Sequence, residues 1–67
     1  MIRVNGEPSA LVPGATVADV VDSLGVDREA RGVAVAVDGE VVPRGRWDEH
    51  VVGDGAAIEV LTAMQGG

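Results

Sequence analysis

Residues 14–25, with the sequence GATVADVVDSLG, predict a short amphipathic helix. Four apolar residues follow the i, i+3, i+4, i+7 spacing of one helix face: Val17, Val20, Val21 and Leu24. Thr16 is a favourable N-cap, Asp19 completes the pattern of a capping box, and Gly25 suits a left-handed helix end. Because the helix is short and rich in β-branched valine, we expect its stability to come from packing against a sheet.

The residues before the helix predict a β-hairpin. Apolar and polar side chains alternate over residues 1–5, which is typical of a half-buried strand. The dipeptide Asn5-Gly6 is a strong hairpin signal, because both residues tolerate positive φ. We expect a second short strand over residues 9–12, at a sheet edge, because Pro8 and Pro13 stand on either side of it.

The residues after the helix predict three more strands. Residues 32–37 (GVAVAV) indicate a buried strand with valines on one face and alanines on the other, followed by a turn at Asp38-Gly39. Val41-Val42 indicates a short strand, and residues 57–62 indicate the last one. With the first and last strands as adjacent parallel partners, the pattern predicts an α+β fold. In it, one helix packs across a mixed sheet of four to five strands.

The composition argues against several classes of partner. Eleven acidic residues against five basic ones give a formal net charge of -6, which is unsuited to a nucleic-acid backbone or an anionic membrane. No apolar run approaches the roughly 18 residues of a membrane span, and the N-terminal residues lack the apolar core of a signal peptide. We expect one cytoplasmic domain over residues 1–67 that is monomeric when free.

The chain carries few groups for catalysis. It has no cysteine and a single histidine, His50, which excludes ordinary thiol, triad and metal-cluster chemistry. The acidic residues are scattered, and phosphate-loop and dinucleotide fingerprints are absent from the sequence. We therefore expect no catalytic, cofactor-binding or metal-binding residues, and we interpret His50 as a packed or solvent-facing loop residue.

The end of the sequence is its unusual feature. Residues 63–67, called the tail below, follow the last predicted strand; we expect them to be flexible, and they can extend about 16 Å. Glycine has no Cβ, so Gly66 and Gly67 can lie flat in a narrow channel. The terminal carboxylate is a poor electrophile, but an enzyme using ATP can activate it as an acyl-adenylate that a sulfur nucleophile then attacks. Taken alone, two terminal glycines are a weak motif, and disorder of a chain end is the simpler interpretation.

Four segments together form a more specific signature. They are residues 41–47 (VVPRGRW), residues 53–55 (GDG) with Ile58, residues 14–17 (GATV) and Gly66-Gly67. In these segments, and along its whole length, the sequence resembles the ThiS family, the sulfur carriers of thiamine (thiazole) biosynthesis. The resemblance implies a ubiquitin-like β-grasp fold.

The resemblance also implies a chemistry for Gly67. In such a carrier, a ubiquitin-activating-like adenylyltransferase that uses ATP and Mg adenylates this residue. Sulfur from a persulfide donor then converts it to a thiocarboxylate, which delivers the sulfur to thiazole synthase. The carrier itself binds no cofactor and acts as a co-substrate rather than an enzyme.

A partner-binding surface is predicted just before the terminal glycines. If Ile58 and Val60 face the helix, the next strand residue, Leu61, lies on the open face of the sheet. The candidate partner-binding residues are Leu61, Ala63, Met64 and Gln65. An apolar patch of this kind suits docking on the activating enzyme, and an ordinary edge of the core is an equally good interpretation.

The irregular segment 44–54 invites a similar choice. Arg44 and Trp47 suit partner recognition, but we favour structural roles for both. We expect Trp47 to anchor a helical turn as a cap on the core, and Arg44 to donate hydrogen bonds to backbone carbonyls.

Three other functions fit the same features. They are the related carrier of molybdenum-cofactor synthesis, a ubiquitin-like modifier that is joined to lysines through Gly67, and a passive β-grasp interaction module. The compact length and residues 42–47 favour the thiamine branch over the molybdenum branch.

Overall fold

The structure is a mixed β-sheet with a helix on one face. It is a computed structural model and describes residues 1–29 and 31–62. Its elements are β1 (Arg3–Val4), β2 (Glu7–Pro8), α1 (Val17–Ser23), β3 (Val33–Val37), β4 (Glu40–Val42), a 3₁₀ turn (Arg44–Arg46) and β5 (Ala57–Thr62). The strand order is β2-β1-β5-β3-β4, with β1 and β5 parallel and the other neighbours antiparallel. The predicted α+β fold is confirmed, whereas the predicted flexibility of the tail concerns residues outside those described.

Helix α1 begins as the sequence predicts. The Asp19 N–H donates to Thr16 Oγ1 at 3.2 Å, and the Thr16 N–H donates to Asp19 Oδ2 at 3.0 Å, so the capping box is present. The buried helix residues are Val17, Ala18, Val20 and Val21. Leu24 was wrongly included in the buried stripe: it is 44% exposed, because α1 ends at Ser23 and Leu24 is the C-cap. Gly25 follows with the expected positive φ of 74°.

The second strand lies earlier than the sequence predicts. β2 comprises Glu7–Pro8, and residues 9–12 are outside the strands, so the prediction of a strand there was wrong. The two-residue Asn5-Gly6 turn brings the chain directly back along β1, which leaves no room for a longer loop. Ser9 Oγ then accepts a hydrogen bond of 3.1 Å from the Leu11 N–H, and this local turn competes with strand pairing. The predicted edge position is confirmed, since β2 is the outermost strand on its side.

The core lies between α1 and one face of the sheet. Its largest fully buried side chains are Ile2, Ile58, Val17, Val20, Val21, Val35 and Val52. Each contributes about 1.5–3 kcal/mol relative to an exposed position. Because these residues come from both hairpins, α1 and β5, the core joins segments that are distant in sequence.

Trp47 closes the core at the end of the 3₁₀ turn. Its ring is 3% exposed, and its Nε1–H donates to the Val42 carbonyl at 3.0 Å. The Arg44 guanidinium lies 4.8 Å from the centre of the ring and donates to the Arg28 carbonyl. The sequence interpretation of Trp47 as a core cap and of Arg44 as a donor to backbone carbonyls is confirmed.

An exposed ion pair joins the N-terminal end of the sheet to the turn before β5. The Met1 ammonium lies 2.7 Å from Asp54 Oδ1. The hydrogen bond from this ammonium, and then its positive charge, hold the pKa of the Asp54 carboxyl below its usual range. The folded state therefore favours the ionised carboxylate, and the contribution of the pair depends on pH.

Replacing the N-cap tests how far the helix depends on its cap. We expect Thr16→Ala to lower the free energy of unfolding by about 1 kcal/mol, because the Asp19 N–H loses its acceptor. Thr16→Ser keeps the hydroxyl and is the matched control, with stability close to that of the unchanged protein. Urea unfolding followed by circular dichroism measures both. Equal losses in the two variants show that the hydroxyl is not the stabilising group.

The Asp54 ion pair makes a prediction about pH. The contribution of this ion pair to stability is complete above the pKa of about 3.9 that the Asp54 carboxyl has in the unfolded chain. It disappears as the pH falls through the lower pKa of the same carboxyl in the folded protein. We therefore expect Asp54→Asn to destabilise the protein near neutral pH, with the difference closing in acid. Urea unfolding across this range measures it, with the exposed Glu7→Gln as control. If the difference in unfolding free energy between Asp54→Asn and the unchanged protein stays constant in acid, the Asp54 ion pair is not its cause.

Candidate functional site

β5 carries the chain from the middle of the sheet to the tail. It pairs with β1 on one flank and with β3 on the other, where Val33 lies opposite Thr62. The tail therefore starts at a strand that is held by the rest of the fold. Of the candidate site residues, Leu61 lies within the described part of the chain. The others lie outside it: Ala63, Met64, Gln65, Gly66 and Gly67.

Leu61 projects from the face of the sheet opposite the helix. Ile58 and Val60 are buried in the core that includes α1, whereas Leu61 is 64% exposed, as the alternation of β5 predicts. The strand register places Ala34 of β3 directly opposite Leu61. Because alanine is small, the Leu61 side chain stands above a shallow surface.

A second exposed apolar side chain lies on the same face. Val41 of β4 is 70% exposed and pairs with Ala36, which itself pairs with Glu59 of β5. We call Leu61, Ala34, Ala36 and Val41 the open-face patch. The sequence analysis missed Val41, although the register of a two-residue Asp38-Gly39 turn makes Val41 and Val42 point to opposite faces. The exposure of Leu61 is confirmed, and its role in partner binding stays a prediction.

Two turn residues hold β5 on opposite flanks. Asn5 (φ 53°) donates its N–H to the Ile58 carbonyl at 2.8 Å, and its Oδ1 accepts from the Val60 N–H at 2.8 Å. Asp38 (φ 52°) donates to the Ala57 carbonyl at 2.8 Å, and its Oδ1 accepts from the Ala57 N–H at 3.0 Å. Sequence reasoning identified both as turn formers. It missed these contacts, because nothing local indicates which backbone group a turn side chain will meet.

The described residues offer no cluster placed to bind a metal ion. No group of three or more histidine, aspartate or glutamate side chains in residues 1–29 and 31–62 is placed to hold a metal ion. His50 is half-buried in a loop, where its backbone carbonyl accepts from the Val17 N–H at 3.0 Å. The lowered pKa of Asp54 belongs to the turn before β5, at the opposite end of that strand from the tail. The arrangement suits a docking surface near the end of β5 in which Leu61 and Val41 are the exposed apolar groups and Glu59 adds a carboxylate beside Leu61.

Within this same part of the chain, α1 is far too short to cross a bilayer, and no other helix there is suited to do so.

Comparison with known proteins identifies relatives over the full length of the chain. The ThiS family model matches residues 2–67. The sulfur carrier protein ThiS of Escherichia coli is 32% identical over 66 residues, covering 98% of this chain and 97% of that protein. The protein of the same name from Thermus thermophilus is 37% identical over 67 residues and covers 100% of both chains.

Solved structures show the same fold. The crystal structure of a thiamine biosynthesis protein (ThiS) from Geobacter metallireducens is 37% identical, with a TM-score of 0.77 over 98% of this chain and 97% of that one. An NMR structure of a thiamine biosynthesis protein from that organism, also 37% identical, has a TM-score of 0.78 over 98% of this chain and 86% of that one. Both the sequence and the β-grasp architecture agree, and the chain therefore belongs to the ThiS family.

Proposed function

We propose that this protein is a sulfur carrier of thiamine (thiazole) biosynthesis and that Gly67 is the residue that carries the sulfur. The observation that supports this function best is the extent of the family match, which runs to residue 67 and includes both terminal glycines. The curated relatives that share this length are named sulfur carrier proteins.

The proposed chemistry takes place at the Gly67 carboxylate. A ubiquitin-activating-like adenylyltransferase joins a carboxylate oxygen to the α-phosphorus of Mg-ATP, and pyrophosphate leaves. The terminal sulfur of a persulfide donor then attacks the acyl carbon, and AMP leaves. A thiol then cleaves the S–S bond of the resulting acyl disulfide, forms a disulfide with the donor sulfur and releases a thiocarboxylate on Gly67, which supplies thiazole synthase. Because the chain contains no cysteine, no internal thiol can attack its own activated end.

The open-face patch and the tail are proposed to dock together on the activating enzyme. Leu61 and Val41 are exposed apolar side chains on a face that α1 leaves uncovered, and Leu61 immediately precedes Thr62, the last residue of β5 before the tail. The candidate tail contacts are Ala63, Met64 and Gln65. An enzyme that buries this patch gains apolar contact area next to the segment it must guide to its nucleotide site.

Mass spectrometry tests the carrier role directly. We expect ATP, an activating enzyme and a persulfide donor to replace one oxygen of Gly67 by sulfur, a change that thiol-directed alkylation then labels. The absence of cysteine makes this label specific for the thiocarboxylate. Met64→Leu removes a methionine whose oxidation adds nearly the same mass, and a chain lacking Gly67 is the negative control.

The outcome also separates the alternatives. With an enzyme shown to be active on the Escherichia coli relative, an unlabelled Gly67 contradicts the carrier role. Joining of Gly67 to lysines of other proteins indicates a modifier, and no change of any kind indicates a passive module. A thiamine requirement that supplied thiazole relieves, in cells lacking the gene, assigns the thiamine branch rather than the molybdenum branch.

Charged substitutions test the open-face patch. We expect Leu61→Asp and Val41→Asp each to weaken binding to the activating enzyme by at least about tenfold, since each buries a charge in an apolar contact. Val12→Asp is the matched control, because Val12 is 68% exposed, close to the 70% of Val41, and lies in the loop before α1. Titration calorimetry measures affinity, and thermal unfolding checks that each variant is folded. Equal weakening by all three substitutions contradicts the patch.

A further inference from the structure

β1 is shorter than the strand it supports. Its two residues, Arg3 and Val4, pair with Ala57 and Ile58, whereas β5 continues to Thr62. After Val4 the chain turns away from β5 into the hairpin turn. The flank of β5 next to β1 therefore loses its backbone neighbour before the strand reaches the tail.

The Asn5 side chain extends this flank beyond the end of β1. Its backbone N–H donates to the Ile58 carbonyl at 2.8 Å, as the next residue of a parallel strand does. Its Oδ1 then accepts from the Val60 N–H at 2.8 Å, in the place that the carbonyl of Asn5 itself would take if the parallel strand continued. This contact joins residues 55 positions apart and lies two residues before Thr62, the last residue of β5 before the tail.

We propose that Asn5 is a positioning residue that holds residues 60–62, the end of β5 that leads into the tail, in line with the sheet for the activating enzyme. The inference rests on the function proposed above. Without the Oδ1 acceptor, the Val60 N–H loses its partner on this flank, and residues 60–62 fray more readily. The enzyme then has to order more of the chain before Gly67 reaches the nucleotide. The effect falls on binding of the carrier and leaves the chemical step at Gly67 unchanged.

Asp38 provides an internal comparison. It has nearly the same φ as Asn5, 52° against 53°, and its Oδ1 likewise accepts a backbone N–H of β5. The partner is Ala57, the first residue of β5, at the end away from the tail. The two residues thus perform one structural task at opposite ends of one strand, and the proposal assigns tail positioning to Asn5 alone.

Two substitutions separate the side chain of Asn5 from its backbone conformation. Glycine tolerates positive φ, so Asn5→Gly keeps the turn and removes the acceptor. Asn5→Asp keeps an acceptor oxygen at a residue type that also tolerates this conformation. Asp38→Gly is the matched control, because it removes the corresponding acceptor far from the tail.

The experiment combines adenylation kinetics with amide hydrogen exchange measured by NMR on the free protein. We expect Asn5→Gly to raise the KM for the carrier about fivefold with kcat unchanged, the loss typical of one hydrogen bond, and to speed exchange at Val60. Asn5→Asp keeps KM and exchange near those of the unchanged protein. Asp38→Gly speeds exchange at Ala57 and leaves KM unchanged.

Several outcomes overturn the proposal. An unchanged KM in Asn5→Gly does so, as does an equal rise in Asp38→Gly, which indicates a general loss of stability. If Asn5→Gly does not fold, Asn5→Asp decides the question. Its ionised acceptor is expected to keep amide exchange at Val60 as slow as in the unchanged protein, or slower. Faster exchange at Val60 or a raised KM in Asn5→Asp contradicts the proposal. If the unchanged protein is not adenylated by an active enzyme, the proposed function fails instead. In that case unaltered Val60 exchange in Asn5→Gly separately shows that the contact does not hold the strand.

Discussion

The placement of β5 between β1 and β3 is the constraint on which the rest of the structure depends. Ile58 and Val60 enter the core beneath α1, while the strand pairs with β1 from the start of the chain on one flank and with β3 from its middle on the other. The parallel β1 pairing needs a long connection, and α1 lies in that connection. The helix, with its capping box and valine-rich face, is stable because this sheet covers it.

This arrangement suits the proposed function, in which the reacting group is the Gly67 carboxylate. A central strand of the sheet is a firm base for the segment that follows it, and Leu61 of the open-face patch projects from the same strand. The sequence has no cysteine, and the described residues hold no cluster placed to bind a metal. The proposed function accordingly places the chemistry on Gly67.

The most specific segment of the sequence proves to be structural. Trp47 fills the core and bonds the Val42 carbonyl, and Arg44 stacks on its ring. These contacts hold the chain between β4 and β5, where regular pairing is absent apart from the single bridge of Val51 to Thr16 among the described residues. The residues of this segment that identify the family therefore serve to pack the core. The proposed chemistry belongs to two glycines that carry little specificity of their own.

The sequence by itself determined the features that depend on neighbouring residues. These are the alternation that exposes Leu61, the capping box at Thr16, the two turns with positive φ and the terminal glycines. Tertiary structure decided which backbone groups Asn5 and Asp38 meet. The reason is that helix caps and turns close within a few residues, whereas strand register and side-chain partners are set by packing between segments up to 55 residues apart.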